Sequence, residues 1–187
     1  MGTTREEIPV LLVTGPVGVG KTSAAEAVAE RLTEARVPHA LVDIDRISLC
    51  YPTPPDDRFN ERLGNRNLAS IWPNFEAAGA TCLILARVVE SRDDIAAYRE
   101  AIPGARILVV RLRASLKTLA ERVRHRERGS GLDWHLARAA ELAPQMDRDR
   151  VEDLLIETDG RTILEIADEI LERTGWPRVP AVDHRSP

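Results

Sequence analysis

The sequence predicts an α/β domain: a parallel β-sheet covered by helices on both faces. Short apolar runs of strand length alternate along the chain with segments of helical period. Each run is continuously apolar, as in strands buried on both faces. The first run, Val10–Val13, leads directly into Gly15-Pro16-Val17-Gly18-Val19-Gly20-Lys21-Thr22, and helix-forming residues follow from Ser23. Strand, glycine loop and helix in that order make one supersecondary unit.

The remaining elements follow in order. Val10–Thr14 is the first strand and 21–36 the first helix, which Pro38 ends; His39–Asp43 is a short second strand. Residues 51–58 contain three prolines and cannot be regular structure. Leu68, Ile71, Trp72 and Phe75 give a helix over 66–78 a single apolar face, so the two aromatics read as core or, alternatively, as a stacking platform. Thr81–Ala86 is the third strand, 91–101 a polar helix closed by Pro103-Gly104, and Arg106–Leu112 the fourth strand. Leu116, Leu119, Ala120 and Val123 form the face of the next helix, which runs into a basic stretch and Gly129-Ser130-Gly131. A helix over 133–143 is expected to stop at Pro144, and Leu154–Ile156 is the fifth strand. Thr162 and Glu165 form a capping box ahead of the Ile163, Ile166, Ala167 and Ile170 face. Residues 1–175 read as one domain and 176–187 as a loose tail.

Composition excludes several classes. Net charge is −4 with 30% charged and 43% hydrophobic residues, a balance that argues against bulk nucleic-acid binding. Two cysteines, Cys50 and Cys82, suggest no disulfide framework and fit a reducing compartment. The start of the chain is polar and carries no secretion signal, Glu6 breaks the myristoylation pattern, and no apolar run has the length of a membrane span. A cytoplasmic protein with no membrane partner is the expectation; oligomeric state is left open.

The glycine loop carries the most specific chemistry. Gly15, Gly18 and Gly20 allow successive backbone N–H groups to turn toward an anion where side chains would block it, and the following helix adds free N–H donors and partial positive charge. Pro16, Val17, Val19 and Ser23 complete the cradle. Lys21 can reach β- and γ-phosphates, and the Thr22 hydroxyl can ligate Mg²⁺. The chain has two lysines against 24 arginines, and one of the two stands where a compact point charge is needed.

Ligands of parallel sheets sit beyond the carboxyl ends of the strands. The second strand ends Asp43-Ile44-Asp45, and on an extended chain both carboxylates face one way, toward the loop. Asp43 is assigned to the metal side and Asp45 to the base that takes a proton from a substrate hydroxyl; the alternative is that one of them is a helix cap or turn residue. The segment 45–78 is the candidate acceptor region, with Arg58, Arg62 and Arg66 suited to a polar or anionic acceptor or else to a solvated helix start. Arg122, Arg124, Arg126 and Arg128 cluster ahead of the glycine hinge, so 122–132 reads as a lid whose Arg126 and Arg128 stabilise transferring phosphoryl charge, or as a cationic helix end. His125 and His135 fit no zinc spacing and read as surface residues. Asp159 and Gly160 fit a turn equally well as a contact beside a nucleotide base.

Together these motifs resemble the P-loop small-molecule kinases: the nucleoside-monophosphate-kinase-like group with shikimate, gluconate and adenylylsulfate kinases and chloramphenicol phosphotransferase. The resemblance spans roughly 9–174 and is specific mainly at the phosphate loop. It implies a three-layer P-loop fold with a five-stranded sheet of order 2-3-1-4-5 and a small lid. It also implies ATP and Mg²⁺ as co-substrates, a small-molecule acceptor, and Arg122 and Arg126 against the nucleotide. The third strand ends Leu85-Ala86-Arg87 without the acid many nucleotide hydrolases place there and without a shikimate-kinase glycine triplet. A nucleotide-binding regulator that has lost transfer chemistry is the alternative.

Overall fold

The computed structural model describes residues 7–127, 129 and 131–177. Ile8–Thr14, apolar until its last residue, forms the central strand β1. It is flanked by β3 (Cys82–Ala86) on one side and β4 (Ala105–Arg113) on the other; β2 (His39–Asp43) and β5 (Leu154–Glu157) close the edges. All four pairings are parallel and the order is β2-β3-β1-β4-β5, as the family resemblance implies.

Alternation along β1 sorts the core into two layers. Leu11 and Val13 pack with α1 (Lys21–Glu34), α5 (Leu116–Arg126), α6 (Leu132–Asp149) and α7 (Ile163–Thr174). Val10 and Leu12 pack with Leu68 and Trp72 of α3 (Glu61–Ala77) and Ile95 and Tyr98 of α4 (Arg92–Ala101). Side chains two apart on a strand share a face, so one apolar run feeds both layers. Trp72 is buried and belongs to this core.

Three expectations about elements are corrected. The chain does not stay extended after Asp43: Ile44–Ile47 coils into one helical turn, α2, with Asp43 at its N-cap and Ile44 buried. Helix α3 begins at Glu61, five residues before the expected start, because the buried Asp57 carboxylate accepts hydrogen bonds from the N–H groups of Glu61 (2.7 Å) and Arg62 (3.1 Å). Helix α6 passes through Pro144 to Asp149. Pro144 is exposed, as is Ala140, whose carbonyl loses its partner and can turn to water, while Leu142 and Met146 anchor the helix on the other side. Pro73 inside α3 meets the same conditions, since it and Ala69 are exposed.

β1 is the strand at which the sheet order reverses, and the loop 15–20 leaves from its carboxyl end. The crevice at such a switch point is where this architecture places ligands.

Candidate active site

The loop between β1 and α1 depends on its glycines. Gly15, Gly18 and Gly20 have φ of 142°, 84° and 102°, a region costly for residues with a Cβ. A Cβ on Gly15 would lie 2.5 Å from the Leu112 carbonyl oxygen, and one on Gly18 would lie 2.7 Å from Val123 Cγ2. The loop is therefore wedged between the end of β4 and the side of α5. Gly20 is the N-cap of α1, no side chain caps this end, and its first turn holds no acidic residue. Its amino-terminal N–H groups keep their capacity for an anion.

Lys21 is half-buried at the base of the loop, and its Nζ donates to the carbonyls of Gly15 and Pro16, both at 3.2 Å. Burial pulls its pKa down to about 8; Asp45 and Asp43 work against that, and Arg126 and Arg87 with it. Both aspartates predicted from the sequence thus act electrically on this lysine, although the helical turn, and not an extended chain, positions Asp45. Thr22 Oγ1 donates to Asp43 Oδ2 at 2.7 Å, and Asp43 Oδ1 is buried with no hydrogen-bond partner. A free carboxylate oxygen beside a hydroxyl fits a hard cation such as Mg²⁺, which binds through one or two protein oxygens and keeps several waters. No cluster of three or more His, Cys, Asp or Glu with metal-ligand geometry occurs among the described residues.

A cavity of about 470 Å³ opens beside the loop. Its walls bring together Val17, Gly18, Lys21, Asp45, Arg58 and Arg126 of the predicted residues. A second cavity of about 380 Å³ lies on the other side of the loop, bounded by Gly18, Gly20, Ser23, Arg122 and Arg126, and by Arg161 and Thr162. Arg126 lines both. Arg122 fastens this region: it donates to the Val19 carbonyl (2.9 Å) and to the hydroxyl (3.1 Å) and carbonyl (3.2 Å) of Thr158.

Other predicted residues fall elsewhere. Arg62 is turned toward Asp56 (2.8 Å) and Asp57 (3.7 Å), and Arg66 is exposed; neither lines the large cavity. Pro16 and Asp159 border a separate cleft, where Asp159 accepts from the Ser115 N–H at 3.0 Å, and Gly160 turns the chain with φ 69°. Arg128 lies outside the described residues.

Sequence reading missed several residues of the large cavity. Arg87, directly after β3, is 5% exposed; it donates to Ser48 Oγ (2.9 Å) and the Phe59 carbonyl (3.1 Å) and pairs with Asp45 (3.3 Å). It joins α2, the proline loop and the candidate base. The available signal was an arginine at the carboxyl end of a fully apolar strand next to β1. Glu61, Glu90 and Arg138 also line the cavity, with Glu90 paired to Arg138. Phe59 and Trp134 form its apolar wall, their ring centroids 6.3 Å apart. His135 also reaches it, in edge contact with Trp134.

No family model matches the chain, and no curated protein matches it. Solved structures do. A gluconokinase from Sinorhizobium meliloti 1021 is 24% identical with a TM-score of 0.59, covering 90% of this chain and 92% of its own. The tunicamycin resistance protein of Deinococcus radiodurans is 19% identical with a TM-score of 0.64, covering 90% and 96%. The APS kinase of Mycobacterium tuberculosis, solved with AMPPNP and APS, is 21% identical with a TM-score of 0.60, covering 91% and 99%. The chain has the fold of the P-loop small-molecule kinases.

Proposed function

We propose that the protein is a phosphotransferase that uses ATP and Mg²⁺ to phosphorylate a hydroxyl or phosphate of a small acceptor. The observation that carries this reading is the one cavity that Lys21 of the glycine loop and Asp45 both line. Donor and acceptor chemistry then meet at one point. The fold similarity to gluconate and APS kinases supports the same class.

In this reading the triphosphate lies along the glycine loop with Lys21 on its β- and γ-phosphates, and the base side of the nucleotide extends past Arg122 into the smaller cavity. Thr22 and the partner-free Asp43 oxygen would hold Mg²⁺, which would supply positive charge against the triphosphate. Asp45 accepts the proton of the acceptor hydroxyl as its oxygen bonds to the γ-phosphorus and the bond to the ADP oxygen breaks. Arg126, on the wall of both cavities, meets the charge on the group in flight, and Arg128 is assigned with it to the lid. The segment 45–78 supplies the acceptor pocket, with Arg58 on its wall.

A γ-phosphate-transfer screen over nucleotides, sugars, sugar acids, aminoglycosides and phenicols tests the reading. A phosphorylated product from at least one acceptor is expected. Tight ATP binding with no product from any acceptor would instead identify a nucleotide-binding regulator.

A further inference from the structure

The wall of the large cavity holds five cationic side chains against three carboxylates. Most of the cations are already engaged. Arg87 pairs with Asp45 at 3.3 Å, Arg126 with Glu127 at 3.1 Å, and Arg138 with Glu90 and Glu141. Lys21 donates to carbonyls of the glycine loop and, in the reading above, turns to the triphosphate. Arg58 is left over. Its guanidinium forms no hydrogen bond and no ion pair among the described residues, although it borders a cavity that also holds carboxylates.

Aromatic rings hold this arginine in place. The Arg58 guanidinium lies over the rings of Phe59 (5.4 Å to the centroid) and Trp134 (5.9 Å). Phe59 comes from the end of the proline loop and Trp134 from the first turn of α6, so two separate elements grip one side chain. Arg138 covers Phe59 as well, at 5.7 Å. A ring attracts the cation but offers it no oxygen, so the N–H donors of Arg58 keep their capacity for an acceptor. A guanidinium fixed before a ligand arrives has less freedom to lose, and its fork matches a carboxylate, sulfate or phosphate. Arg58 lines the large cavity and not the smaller one beside Arg122, so its position suits the acceptor and not the nucleotide. Glu61, on the same wall, has no cationic partner among the described residues; burial raises its pKa, with Asp94 adding to the effect. It favours a hydroxyl beside it over a second negative group.

We propose that the acceptor is a small hydroxylated anion: Arg58 binds its carboxylate, sulfate or phosphate, and the hydroxyl that receives the phosphoryl group is directed at Asp45. Arg58 is then the residue that sets acceptor specificity, and Phe59 and Trp134 are the support that positions it, not a seat for the ligand. This assignment of the acceptor class rests on the phosphotransferase reading above. The fold leaves the charge of the acceptor open, and the unengaged guanidinium decides it. An uncharged acceptor would cover Arg58 without giving it a partner, which discriminates against such a ligand.

Matched compounds that differ in charge test this in the full chain: glucose against gluconate and glucose 6-phosphate, methyl shikimate against shikimate, and adenosine against AMP. Binding with MgAMPPNP present is followed by the fluorescence of Trp134, which touches Arg58, since Trp72 and Trp176 are buried. Phosphate transfer from MgATP is measured on the same compounds. In at least one set the anion should bind about tenfold or more tightly than its uncharged partner, as expected for hydrogen bonds to a charged group. The carboxylate and phosphate arms show which oxyanion Arg58 takes. Arg58→Ala should cost that anion about tenfold or more in affinity and leave MgAMPPNP binding intact, which shows that the chain is folded. Arg58→Lys should recover part of the loss, because it restores the charge without the fork. Uncharged partners bound as tightly as the anions, no saturable response to any anion, or unchanged affinity in Arg58→Ala overturns the assignment. Anion binding that depends on Arg58 but leads to no transfer contradicts the phosphotransferase reading and leaves the ligand class standing. Transfer to uncharged compounds alone does the reverse.

Discussion

Lys21 is the residue whose chemistry can be read most directly from its surroundings. With its pKa held near 8 by burial, it is charged below that pH and loses its proton above it. A triphosphate favours the charged form, so bound nucleotide raises the pKa and draws a proton onto the lysine at alkaline pH. ATP affinity is therefore expected to be flat below pH 8 and to fall about tenfold per pH unit above it, since a shift of one unit is a tenfold change in population. Calorimetric titration across pH 7–10 checks this, and Lys21→Ala should bind weakly with no such slope. The glycine loop was legible because its pattern is local and each residue answers one demand of the phosphate. Arg87 was not, because its role comes from Ser48, Phe59 and Asp45, residues up to 42 positions away that only the folded chain assembles. Arg87→Ala should free Asp45 and loosen the loop before α3, lowering turnover more than nucleotide affinity. Equal loss of both would show that Arg87 supports the fold as a whole.

Elements depend on contacts that composition does not announce. The start of α3 is set by Asp57, a residue of the proline loop, acting on the N–H groups of Glu61 and Arg62. Asp57→Ala removes these bonds and is expected to cost about 1–2 kcal/mol, in the range of a lost helix cap. Thermal melting measures it, and an unchanged midpoint would mean that packing alone fixes the helix start. Gly18 joins the loop to α5 so closely that Gly18→Ala must displace Val123 or the loop itself. Loss of nucleotide binding together with a lower melting temperature is expected. The continuation of α6 through Pro144 has the same lesson. A proline inside a helix strands and displaces the carbonyl four residues back, and the exposure of Ala140 that lets this carbonyl turn to water is a property of the packed molecule. Likewise Asp43 and Asp45 were chosen for an alternation that the helical turn at Ile44 abolishes, yet both remain close enough to act on Lys21.

At the scale of the whole molecule the apolar runs and their spacing were sufficient for the class of fold, and the family resemblance supplied the order of the strands. The acceptor site was only partly legible. Its walls come from the end of α2, the proline loop, the segment after β3 and the first half of α6, and it forms only when the sheet brings these together. The nucleotide should bind the folded chain alone and so stabilise it, by about 2.7 kcal/mol at a hundredfold excess over Kd. At about 2–4 °C per kcal/mol for a chain of this size, the melting temperature should rise by about 5–10 °C with MgATP. No rise is expected in Lys21→Ala.

The central claim is that Lys21 and Asp45 divide the work in one cavity, the first holding the triphosphate and the second activating the acceptor. MgATP affinity and γ-phosphate transfer, measured side by side in the wild type, Lys21→Ala and Asp45→Asn, test it most directly. Lys21→Ala should lose affinity, whereas Asp45→Asn should keep affinity within about threefold and lose transfer by roughly 10²–10⁴-fold, the range of a positioned general base. Transfer that survives in Asp45→Asn contradicts the claim.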